Sequence, residues 1–187
     1  MVVEQKNDSP VGQYAPDFEL PGIDGQVHHL SRYLEKFRVV AVIFMCNHCP
    51  DVRLYLERLK EIQASFQGEG FTAIAINAND INKDPEDSFE KMKSFAIEQK
   101  LNFPYLWDPS QDVASCFDAK VTPEVFLVDH AGVVRYRGRI DDQPENSELV
   151  QRHYLRDNLV ALLSGKELTT KITEAIGCTI KWREDKK

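Results

Sequence analysis

A chain of 187 residues with 42% apolar and 28% charged residues is long enough for one domain with a real core, in the balance of an ordinary globular protein. Its net charge of −7, with Lys and Arg scattered along the chain, excludes the clustered basic patch that counterion release at a nucleic acid requires. No window approaches the roughly 18 apolar residues of a membrane helix. The polar opening from Met1 to Pro10 lacks the apolar block of a signal peptide, so a cytoplasmic protein is expected.

In chain order, residues 18 to 30 alternate weakly around Pro21-Gly22 and Asp24-Gly25, the pattern of a short hairpin. Val39 to Phe44 is an unbroken apolar run that predicts a strand buried on both faces, as in a parallel sheet. From Pro50 to about Phe66, Val52, Tyr55, Leu56, Leu59, Ile62 and Phe66 recur at three and four, one face of a helix closed by Gly68 and Gly70. Phe71 to Ile76 reads as a second strand. A helix over about 86–99 follows, with Asp84 as its cap and Pro85 in its first position.

Asn102 to Asp108 predicts a brief extended piece, and Ser110 to Asp118 a short helix capped by Ser110. Val125 to Val128 and Val133 to Tyr136 flank the turn Asp129-His130-Ala131-Gly132 and predict a hairpin. A last helix is expected over about 147–163, ending at Gly165, before a tail carrying Cys178 and Trp182. The order β-α-β-α, then β-β-α, implies a mixed sheet with helices on both faces.

The cysteines number four: Cys46, Cys49, Cys116 and Cys178. They are too few for a disulfide scaffold of this length, and no second close pair completes a structural zinc set. Cys46-Asn47-His48-Cys49-Pro50 lies between the buried strand and the first long helix. Unpaired amides and partial positive charge at a helix start favour a thiolate there, and a spacing of three lets two sulfurs meet across one turn. Pro50 costs the helix little, because its first-turn amide has no partner. His48 has two readings: a protonated ring that favours the Cys46 thiolate, or a solvent-facing side chain with little influence. Cys116 reads as a core filler. Asn77-Ala78-Asn79-Asp80 reads equally as a functional loop or as turn chemistry.

Tyr14-Ala15-Pro16-Asp17-Phe18-Glu19-Leu20, Cys-Asn-His-Cys, Val121-Thr122-Pro123-Glu124-Val125-Phe126-Leu127-Val128-Asp129 and Ile176-Gly177-Cys178-Thr179-Ile180-Lys181-Trp182 together resemble the peroxiredoxin-like, AhpC/TSA-like branch of the thioredoxin superfamily. The resemblance implies a single thioredoxin-like α/β domain over 1–187, with a core over about 12–165 and a C-terminal extension over 166–187. Peroxidases of that branch carry a Pro-x-x-x-Thr/Ser-x-x-Cys box. Counted back from Cys46, its proline and hydroxyl positions hold Val39 and Ile43, and Pro123 stands where a supporting arginine belongs.

The resemblance therefore implies thiol–disulfide exchange. Cys46, nearer the surface, attacks a substrate disulfide, and Cys49 resolves it to leave a Cys46–Cys49 disulfide. Thr122 and Pro123, joined by a cis peptide, line the substrate groove. Glu124 either moves protons beside the cysteines or is a solvated strand end. Cys178 either approaches the pair as a resolving cysteine or belongs to a tail docked for packing. No cofactor is called for. The implied partners are disulfide-bearing proteins or small-thiol substrates and an unidentified reducing or oxidising partner, with no nucleic acid and no membrane. Two alternatives stand beside this: a peroxiredoxin-like peroxidase, and a copper- or zinc-binding module using Cys46, His48 and Cys49, with His130 or His153 as a distant ligand.

Overall fold

The computed structural model describes residues 9–186, so the polar opening falls largely outside the described residues. The chain begins with a small antiparallel hairpin, β1 (Glu19–Pro21) and β2 (Val27–His29), and a short helix α1 (Leu30–Lys36). Then come β3 (Val39–Phe44), α2 (Pro50–Phe66), β4 (Phe71–Asn77), α3 (Phe89–Glu98) and β5 (Tyr105–Trp107). They are followed by α4 (Asp112–Phe117), β6 (Val121–Thr122), β7 (Glu124–Asp129), β8 (Val134–Gly138), α5 (Tyr154–Leu163) and β9 (Cys178–Thr179).

Five strands form the central sheet in the order β5-β4-β3-β7-β8. β3, β4 and β5 run parallel, as strand–helix–strand crossovers dictate, and the β7–β8 hairpin enters antiparallel to β3. Every residue of β3 and β4 is buried, which is why β3 reads as a continuous apolar run rich in branched side chains and β4 as a mostly apolar one. Alternate residues of β3 serve two cores. Val39, Ala41 and Ile43 pack with α2, Met92 and Phe95 of α3, and Leu155 and Leu159 of α5. Val40, Val42 and Phe44 pack on the other face with Leu30, Phe117, Phe126 and Ile180. There Phe44, Phe117 and Phe126 meet edge to face at centroid distances of 5.2–5.8 Å, each pair adding about 0.5–1.5 kcal/mol beyond its buried area.

Three helix starts differ from the periodicity reading. Asp84 caps only a 3-10 turn, Pro85–Asp87, and α3 starts after Ser88, whose hydroxyl accepts from Lys91 N. The turn stands apart from α3 because Asp87 is wholly buried and accepts from Asn77 Nδ2 at the end of β4. α4 starts after Gln111 rather than Ser110, with Gln111 at φ +65° and its amide donating to Ala78 O and Lys181 O. Residues 147–149 form a 3-10 turn, and α5 begins only at Tyr154. Among the described residues no helix is long and apolar enough to cross a membrane.

Candidate redox site

β3 delivers its last apolar residues to the centre of the sheet, and the chain turns through Cys46, Asn47 and His48 before α2. Cys49 is the N-cap of α2, in extended backbone, and Pro50 occupies the first turn. A carboxylate behind the loop holds it in shape. Asp87 Oδ1 accepts from the Asn47 amide at 2.7 Å and from Asn77 Nδ2 at 2.9 Å, while Oδ2 accepts from Asn79 Nδ2 at 2.8 Å. Tyr105 donates its hydroxyl to Asn47 Oδ1 at 2.9 Å. The polar run after β4 therefore supports the cysteine loop.

Cys46 is free and only 3% exposed. Burial pushes its thiol up, and the Asp87 carboxylate adds to the rise; the Thr122 hydroxyl and the Cys49 and His48 amides oppose it. Its Sγ lies 3.4 Å from Thr122 Oγ1. Burial also holds the Tyr105 hydroxyl well above its ordinary range, with Cys46 and Asp87 contributing.

The disulfide joins Cys49 to Cys178 rather than Cys46 to Cys49. The reason is the path of the tail. β9 pairs antiparallel with β6, setting Cys178 opposite Thr122 and Thr179 opposite Val121. Gly177 lies so close to the Thr122–Pro123 peptide, which is cis, that a Cβ there would sit 2.0 Å from the Thr122 carbonyl oxygen. Cys49 Sγ is 3.3 Å from that same oxygen, so Thr122 touches both cysteines of the loop and the strand that carries the third. The groove expected for a substrate chain at Thr122 and Pro123 is filled by the protein's own tail.

Other expectations are corrected by the geometry. Cys46 and Cys49 are both buried, at 3% and 2% exposed, so access does not single out Cys46 within the pair. His48 is 67% exposed with Nδ1 3.4 Å from an Asp84 carboxylate oxygen, the solvent-facing alternative. Glu124 is buried, neither beside the cysteines nor solvated. It shares the parity of Phe126 and Val128 on the opposite face, where Arg137 Nη2 donates to it at 2.6 Å and the Lys120 amide at 2.8 Å. Cys116 is exposed on α4, whose Ala114 and Phe117 turn inward instead. The set Cys46, His48 and Cys49 does not converge as a metal centre. The convergent donors among the described residues are Cys49, Asp51 and Cys178, two of them joined in the disulfide, while His130 and His153 lie exposed elsewhere.

Asp51 is the site residue that sequence reading passed over, since a first-turn acid is ordinary helix chemistry. Its Oδ2 lies 3.9 Å from Cys49 Sγ and 3.8 Å from Cys178 Sγ. A thiolate attacking this disulfide brings a second negative charge to within a few ångströms of the carboxylate. Asp51→Asn is therefore expected to speed reduction by dithiothreitol about fivefold at low ionic strength, with the gain shrinking as salt is added. Stopped-flow reduction across a salt series checks this, and a slower variant would refute the repulsion.

The AhpC/TSA family model matches residues 11–137. The chain is 28% identical over 149 residues to the thiol-disulfide oxidoreductase ResA of Geobacillus kaustophilus (strain HTA426), covering 80% of this chain and 79% of the relative. A crystal structure of an uncharacterized conserved protein from Geobacillus kaustophilus superposes with a TM-score of 0.88 at 38% identity, covering 95% of both chains. Peroxidoxin BcpB from Mycobacterium tuberculosis shares the fold, with a TM-score of 0.64 at 19% identity, over 84% of this chain and 97% of that one.

Proposed function

This chain belongs to the AhpC/TSA family, and from that premise we propose that it is a thiol–disulfide oxidoreductase acting on disulfide-bearing substrates through Cys46, Cys49 and Cys178. The carrying observation is one disulfide and one free thiol gathered around Thr122. Such a cluster holds two electrons' worth of oxidising capacity and has a third sulfur ready to exchange with it. Attack of a thiolate on either sulfur of the disulfide releases the other as thiolate, and no group other than sulfur is required. The likeness to a thiol-disulfide oxidoreductase over four-fifths of the chain supports the same chemistry.

The peroxidase alternative has less support. Cys46 is flanked by Ile43, which has no hydroxyl, and the arginine position is Pro123. Arg137 is committed to Glu124 on the far face. Oxidised protein is expected to take up one equivalent of dithiothreitol and to catalyse dithiothreitol-dependent reduction of insulin disulfides. Oxidation of the reduced protein by stoichiometric hydrogen peroxide should be slow by comparison. Rapid peroxide oxidation without disulfide turnover would reverse the assignment.

A further inference from the structure

The tail does more than pack. Downstream of Cys178, Ile180 is 4% exposed in the core, and its amide donates to Lys120 O at 3.1 Å. Lys181 N donates to Asn79 Oδ1, Lys181 O accepts from the Asp80 amide and Gln111 Nε2, and Arg183 N donates to Gln111 Oε1. Upstream, Thr173 bonds to Arg137 O through its amide, and its hydroxyl meets Tyr136 and the Arg139 amide. These anchors lie on both sides of the cysteine and none depends on the disulfide. Reduction therefore leaves Cys178 beside Cys49 rather than releasing the tail.

With the tail seated, access divides the three sulfur-bearing residues. Cys46 and Cys49 are 3% and 2% exposed, while Cys178 keeps part of its surface open. The β6 edge beside the loop is paired with β9, so an incoming chain finds that ladder occupied. We propose that Cys178 is the exchange cysteine through which outside thiols and disulfides reach this protein, with Cys49 as its resolving partner and Cys46 as an internal thiol. The proposal rests on the thiol–disulfide reading above and names which sulfur partners meet.

The partner class is a dithiol in one direction and a disulfide in the other. A thiolate of the dithiol attacks Cys178 Sγ; the Cys49–Cys178 bond breaks, and Cys49 leaves as thiolate and takes a proton. The partner's second thiolate then attacks its own sulfur in the mixed disulfide and releases the Cys178 thiolate. The partner loses two electrons and the protein gains two. In reverse, the Cys178 thiolate opens a client disulfide, and Cys49 displaces the client to re-form the bond to Cys178. Cys46, sharing Thr122 with Cys49, is placed to attack Cys49 Sγ and expel the Cys178 thiolate. That step forms Cys46–Cys49, breaks Cys49–Cys178 and moves no net electrons.

Cys178 is tested in the full chain carrying Cys116→Ser, which removes the exposed bystander thiol. Adding Cys49→Ser blocks resolution, and reduced protein is treated with glutathione disulfide before peptide mass mapping. The glutathione adduct is expected on Cys178 at least about tenfold faster than on Cys46, as access dictates. Preferential labelling of Cys46, or no adduct on Cys178, overturns the proposal. Cys178→Ser should lower insulin reduction at least about tenfold, and unchanged turnover also overturns it. If the parent chain shows no disulfide turnover, the functional reading itself fails; if it turns over but couples through Cys46, only the role of Cys178 fails.

Discussion

Cys49→Ser is expected to lower dithiol-dependent disulfide reduction by about a thousandfold or more, because every exchange open to the cluster passes through the Cys49 sulfur. Cys49 is bonded to Cys178, sits three residues from Cys46, and contacts the Thr122 carbonyl that lies between the three. A serine oxygen forms no S–S bond, so both exchanges open to the cluster end with this substitution. Cys46→Ser removes only the internal exchange, leaves the Cys49–Cys178 bond intact and is expected to cost far less turnover than Cys49→Ser. The insulin reduction assay distinguishes them, and equal losses in the two variants would return Cys46 to the attacking role. The same substitution has a stability readout. The bond spans a sequence separation of 129 residues, and closing long loops typically stabilises by about 2–4 kcal/mol. Oxidised wild type should therefore resist urea more than Cys49→Ser, and reduction should erase the difference.

Asp87→Ala is expected to destabilise the fold by about 3–5 kcal/mol, the scale of removing one member of a buried charged network. The carboxylate is wholly buried and accepts from Asn47 N, Asn77 Nδ2 and Asn79 Nδ2. Alanine strands these donors away from water, whereas Asp87→Asn keeps one carbonyl acceptor and should cost less. Urea unfolding measures both. The pH response separates electrostatics from packing. Burial and the Asp87 charge both raise the Cys46 thiol, so removing that charge in Asp87→Asn should let Cys46 ionise at lower pH and alkylate faster at neutrality. An unchanged pH midpoint for Cys46 alkylation would confine Asp87 to a structural role.

The elements were recognisable wherever their cause was local. β3 shows itself because six consecutive apolar residues suit a strand covered on both faces, and α2 because its apolar residues return at three and four. The Asp129–Gly132 turn carries its own evidence in Gly132 at φ +83° and an Asp129 carboxylate that accepts from Ala131 N and Val133 N. The sequence alone places the start of α3 too early, because Asp84-Pro85 is a sound capping signal locally. The demand that overrides it, a buried Asp87 bonded to Asn47, comes from a residue 40 positions away.

The sequence by itself determined the mixed α/β order, the hairpin and a cysteine pair at a strand-to-helix junction, because side-chain period and capping chemistry act over a few residues. The pairing of the cysteines was decided only by tertiary structure. Cys178 meets Cys49 because Ile180 and Arg183 anchor the tail, and because Gly177 alone fits against the Thr122 carbonyl. The role of Glu124 was settled the same way: pairing with Phe44 in β3 fixes the parity of β7 and turns Glu124 to the face opposite the cysteines. Periodicity specifies which residues share a face, but strand register and the closure of a long loop specify what that face meets, and those depend on packing between segments far apart in the chain.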